Sequence, residues 1–164
     1  MIDTMAPYME HKIVTLLIVA VIAASLGFFG NFYISRRTKK EDKISKISQA
    51  IEKEIRALGQ VAAAYWLVSP PDVRKEKLQA AEIKIKASFK ALSHLHKAIS
   101  PQLKKHSRSK VDIELRDFIS DIYEIITADD FESNSRQPSR AKAAKILSKT
   151  SMMCVKISTL PHPF

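Results

Sequence analysis

Residues 13–34 read IVTLLIVAVIAASLGFFGNFYI, 22 positions without a charge, and no other feature restricts the fold of this chain so tightly. A bilayer core of ~30 Å takes about 20 apolar residues at 1.5 Å rise each, so the block is long enough to span one with modest tilt. A helix buried in a soluble protein keeps polar residues on one face; this block has almost none. A cleaved signal sequence has a shorter apolar region, about 7–15 residues behind a basic start, whereas the segment before this block holds Asp3, Glu10 and Lys12. The block therefore reads as a single transmembrane helix.

Its flanks predict an orientation. Arg36, Arg37, Lys39, Lys40, Lys43 and Lys46 crowd the C-terminal side against Glu41 and Asp42. Basic flanks stay cytoplasmic, so residues 1–12 are expected outside as a short tail. Residues 35–43 form a basic juxtamembrane segment, and the body of the chain is expected in the cytoplasm. Tyr8, Phe32 and Tyr33 fall at the interfaces. The basic cluster also suits anionic headgroups, at about 1 kcal/mol per residue close to the surface. Within the span, Ala20, Ala23, Ala24, Gly27 and Asn31 share a face on which small residues allow close helix approach and an asparagine can hydrogen-bond across. Self-association or a membrane partner would use that face.

Beyond the span the chain has one glycine, Gly59, no alternating β-branched runs, and prolines only at breaks. This pattern predicts an all-α domain over residues 44–160, with 161–164 as a tail. Ile44, Ile47, Ile51, Ile55, Leu58, Ala62 and Tyr65 make the apolar stripe of a first helix, which nothing but Gly59 interrupts back to Ile34. That helix can therefore be continuous with the membrane helix. It should stop at Ser69-Pro70-Pro71. Leu78, Ala81, Ile85, Phe89, Leu92, Leu95 or His96, and Ile99 mark a second helix, ending before Pro101. Val111, Leu115, Phe118, Ile122 and Ile125 mark a third, with Ser109 as its cap and Asp112 three residues on. Ala143, Ile146, Thr150, Met153 and Ile157 mark a fourth, after Pro138. Short connections between amphipathic helices make an antiparallel bundle of about four the expected fold.

Charge is partitioned by helix. Residues 74–110 hold eleven Lys or Arg against Glu76 and Glu82, residues 112–132 hold eight acids against Arg116, and residues 136–156 hold six basic residues and no acid. An acidic third helix between basic neighbours helps specify which helices pair. Lys84, Lys90, Lys97, Lys104, Lys105 and Arg108 raise the question of nucleic acid. Several fall on different helix faces, however, and no aromatics are interleaved for base stacking. A solvated face is the expectation. Glu114, Asp117, Asp121 and Glu124 line one face of the third helix as a solvated or partner-binding stripe. His94 and His96 stand two apart, the wrong spacing for paired helical ligands. The single cysteine, Cys154, forms no internal disulfide and reads as a small buried hydrophobe. Tyr65 and Trp66 read as core anchors.

No G-x-x-x-x-G-K-[ST], G-x-G-x-x-G or G-x-S-x-G sequence is present, and no Cys/His set has zinc spacing. No catalytic residues, cofactor, metal or small-molecule substrate is indicated. The most motif-like text is Asp130-Phe131-Glu132-Ser133 with Arg136, where Phe131 would plug the end of the core and the carboxylates would cap the fourth helix. Residues 127–136 resemble a T-G-G-D-F-E-S…R signature of small helical bacterial proteins of unknown function, with Ala128 and Asp129 standing in place of its two glycines. The resemblance implies a bacterial source, hence an inner-membrane location, and a similar bundle. It carries no activity. The expected function is that of a membrane-anchored helical scaffold that contacts the bilayer, a protein partner or itself. The alternatives are a membrane tether for nucleic acid and a membrane-active effector of a lysis or defence module.

Overall fold

The structure, a computed structural model, describes residues 6–70, 73–104, 109–128 and 130–159. Among these residues it is all-α, with α1 at Ala6–Leu67, α2 at Lys75–Lys104, α3 at Ser109–Thr127 and α4 at Arg140–Ser158. The chain divides into two compact units, Met1–Asp42 and Lys43–Phe164.

The first unit is the N-terminal part of α1. Val19, Val21, Ile22, Leu26, Phe28, Phe29, Phe32, Tyr33 and Ile34 are all exposed. By length and composition α1 is apolar enough here to cross a membrane. The basic stretch that follows stays helical, because Lys, Arg and Glu are good helix formers. Arg37 also pairs with Glu41 one turn on, at 3.0 Å.

The second unit has one hydrophobic core. The expected stripes of the first, second and fourth helices face it: Ile51, Ile55, Leu58 and Ala62 on α1; Ile85, Phe89, Leu92 and Ile99 on α2; and Ala143, Ile146, Met153 and Ile157 on α4. Cys154 is buried beside them, its Sγ 3.7 Å from the Glu52 carbonyl oxygen, and burial pushes its thiol pKa up.

Contacts between helices give their directions. Glu114 and Asp121 of α3 and the Ala128 carbonyl just beyond it meet Lys156, Lys149 and Lys142 of α4, at 3.0, 2.8 and 2.9 Å. Seven residues up α3, about two turns, correspond to seven down α4, so the pair is antiparallel. Helix α4 also runs against α1, from Cys154 beside Glu52 to the Ser139 N–H on the Trp66 carbonyl at 2.7 Å. Phe89 against Tyr123 and His96 against Asp112 make α2 and α3 antiparallel as well. These contacts are those of an up-and-down bundle. Gly59 lies tight against α4: a Cβ there would sit 2.6 Å from Thr150 Oγ1.

Three boundary expectations need correction. Helix α2 does not end before Pro101 but runs through it to Lys104. A proline in a last turn removes one donor, while Leu103 beyond it is fully buried, an apolar burial of about 1.5–3 kcal/mol. In α3 the innermost residue of the last turn is Ile126, fully buried, and Ile125 is only partly buried. Ser109 is the first helical residue of α3 rather than a cap, and Asp112 turns inward to His96.

Candidate interaction surfaces

At the end of the second unit where α1 and α3 terminate, their last-turn carbonyls have no intrahelical partners and need donors. The Ser133–Ser139 connection, the start of α4 and Trp66 of α1 itself supply them. Arg136 Nη1 donates to the Tyr65 carbonyl at 2.6 Å, and Lys142 Nζ to that of Ala128 at 2.9 Å. Trp66 Nε1 donates to the Ile126 carbonyl at 3.1 Å. Arg136 is almost wholly buried, at 1% exposure. Its guanidinium lies 3.9 Å from the Tyr65 ring centre and 5.2 Å from that of Trp66. Its Nε and Nη2 make no hydrogen bond. The positive charge sits against the negative end of α1.

Tyr65 organises the same corner. Its hydroxyl donates to Glu82 at 2.9 Å and accepts the Glu132 N–H at 3.0 Å, and its ring packs on Phe131 at 5.3 Å. Burial raises its pKa first of all. Glu132 takes a left-handed φ of 66°, held by that backbone bond and by an ion pair of its carboxylate with Lys86. That pairing raises the Lys86 pKa. The Asp130–Arg136 segment is thus a clasp on the bundle end. Phe131 packs against the core as expected, but the carboxylate cap on α4 needs correcting. Ser139 is the N-cap, its hydroxyl oxygen accepting the Lys142 N–H at 3.2 Å, while Glu132 is drawn to α2. Ser133 bonds within the turn, to Ser135.

The other candidate residues are scattered. Ala20, Ala23, Ala24, Gly27 and Asn31 lie exposed on α1, with nothing within 4 Å of a Cβ built at Gly27. Arg36, Arg37, Lys39 and Lys40 are exposed in the first unit, Arg36 lying over the Phe32 ring at 4.5 Å. Lys43 and Lys46 are exposed in the second unit. Lys84, Lys90 and Lys97 are exposed on α2. At 100° per residue Lys84 lies about 120° around the helix from Lys90, while Lys90 and Lys97 nearly coincide. The Lys104 side chain, Lys105 and Arg108 lie outside the described residues. Of the acidic stripe of α3, Glu114 and Asp121 pair with Lys156 and Lys149 of α4, while Asp117 pairs with Arg116 of its own helix. Among the described residues no group of three His, Cys, Asp or Glu side chains is placed to hold a metal ion.

One surface was not anticipated. A furrow of about 430 Å³ runs between α1 and α2, lined by Val61, Ala64, Tyr65, Val68, Val73, Leu78, Ala80 and Ala81, with Lys77 and Lys84 among its walls. The run of alanines was the available signal: short side chains on facing helices leave the interhelical groove unfilled. Searches against protein families, curated proteins and solved structures return no match to this chain.

Proposed function

We propose that this chain is a membrane-anchored interaction protein of a bacterial inner membrane. Its N-terminal helix crosses the bilayer with the N-terminus outside, and its helical bundle presents docking faces to a protein partner in the cytoplasm. The exposed apolar surface of α1 carries the reading. Nine large apolar side chains between Val19 and Ile34 are exposed, more than a soluble monomer leaves to water without a covering surface. A bilayer covers such a surface on every side of the helix, and the basic residues after Ile34 agree with a cytoplasmic bundle. The bundle's role in this reading is to bind and localise rather than to perform chemistry.

The test is fractionation followed by crosslinking. The full-length protein should sediment with membranes, resist alkaline carbonate and be released by detergent. A lysine-reactive crosslinker should then recover a protein partner, with or without nuclease. Release by carbonate would overturn the anchor, and recovery lost on nuclease treatment would replace the protein partner with nucleic acid.

A further inference from the structure

We infer that the furrow between α1 and α2 is a docking groove for an amphipathic helix of a partner protein whose apolar ridge is edged by acidic residues. The inference rests on the interaction reading above and names the chemistry of the partner. The groove follows from the sequence. Ala64 of α1 and Ala80 and Ala81 of α2 line the furrow with short side chains, so the two helices leave a channel walled by Val61, Val68, Val73 and Leu78, with Tyr65 beside them. The walls are held in place. Tyr65 is fixed at its hydroxyl by Glu82 and Glu132, and Ala62 and Ile85 are buried next to the lining positions. The surface is therefore preformed, which lowers the entropy cost of binding.

Charge selects the occupant. Lys77 and Lys84 stand one heptad apart on the same side of α2, about 10 Å along its axis, and among the described residues no acid lines the groove. Elsewhere in the bundle Lys86, Lys149 and Lys156 are each engaged by a carboxylate. Lys77 and Lys84 have no such partner among the described residues. An incoming helix with acids seven residues apart meets both lysines while its apolar residues at i, i+3 and i+4 fill the channel. The channel is open along its length, so a lipid chain laid in it would remain half wet, whereas a helix closes it with its own face.

The test places a photoreactive benzoylphenylalanine at Ala64 or at Ala80 in the full-length protein in cells, with Ala144 on α4 as the control. All three positions are exposed, so the bulky residue should leave the fold intact, and circular dichroism of the purified variants checks this. Mass spectrometry of the adducts from Ala64 and Ala80 should find one acidic amphipathic helical segment of another protein, absent from Ala144. The Lys77→Glu, Lys84→Glu double variant should lower that adduct at least tenfold at unchanged membrane content. An adduct to this chain's own sequence, to lipid or to a basic segment would overturn the inference. So would no adduct, or one indifferent to the charge reversal. If the lysine-reactive crosslinker finds a protein partner that Ala64 and Ala80 never reach, the groove falls and the interaction reading stands. If neither route finds a protein, both fall.

Discussion

Arg136 shows how several modest terms hold a buried cation. Its burial costs several kcal/mol. Against this stand a charge-assisted bond to the Tyr65 carbonyl at 2.6 Å, about 1.5–3 kcal/mol, and the aromatic faces, about 2 kcal/mol when desolvated. The negative end of α1 adds up to ~2 kcal/mol. These nearly cancel, so the bulk of the side chain should decide its contribution. Arg136→Ala should cost about 3 kcal/mol or more, as a large cavity does, and Arg136→Met less than half of that. Urea unfolding checks this, and equal losses would show that the charge itself is what stabilises. A second prediction concerns alkaline pH. Burial raises Cys154 above its ordinary value of 9.0 and Tyr65 above 10.0. Below those values both states keep the proton and stability is complete. As pH rises through them the unfolded chain ionises first, and stability is lost. Denaturant midpoints should fall above about pH 9, and less steeply in Cys154→Ala and Tyr65→Phe. Slopes unchanged in both variants would refute the assignment.

At the scale of elements, the α1–α4 contact is set by one glycine. An alanine at Gly59 would gain about 1 kcal/mol of helix propensity. Its Cβ would meet Thr150 Oγ1 at 2.6 Å and both Cβ and Cγ2 at 3.1 Å. Rotating Thr150 only exchanges hydroxyl for methyl, and its hydroxyl is already held by the Ile146 carbonyl at 2.9 Å. Overpacking of about 1–3 kcal/mol should therefore win, making Gly59→Ala destabilising. The penalty should shrink in a Thr150→Ala background, a coupling that a double-mutant cycle measures. The α3–α4 ion pairs act differently. Each is partly exposed and contributes below about 1 kcal/mol, so they set which helices pair more than how firmly they do.

For the whole molecule, the division at Asp42 and Lys43 separates a segment whose large apolar side chains are exposed from one that carries its own core. Residues 43–164 expressed alone should be soluble and helical with a cooperative thermal transition, while the full chain should need detergent or membrane. An uncooperative transition in the fragment would mean that the apolar segment is required for folding.

Much of this was legible in the sequence, because helical periodicity and an uncharged block are local signals. Stripes at steps of three and four identify helices whatever they pack against, and the length of residues 13–34 constrains their environment without a partner. The charge partition also anticipated that α3 would lie beside α4. Tertiary structure decided what depends on residues far apart in the chain. Ile126 rather than Ile125 is innermost in the last turn of α3, at the place where the Trp66 indole, sixty positions earlier, reaches the Ile126 carbonyl. Leu103 draws α2 through Pro101 into the core. Arg136 in a polar loop reads as exposed until the end of α1 is brought beside it and the Tyr65 carbonyl takes its donor. The groove, too, exists only once Ala64 of α1 and Ala80 of α2 line the same furrow, since short side chains become a channel only between two helices.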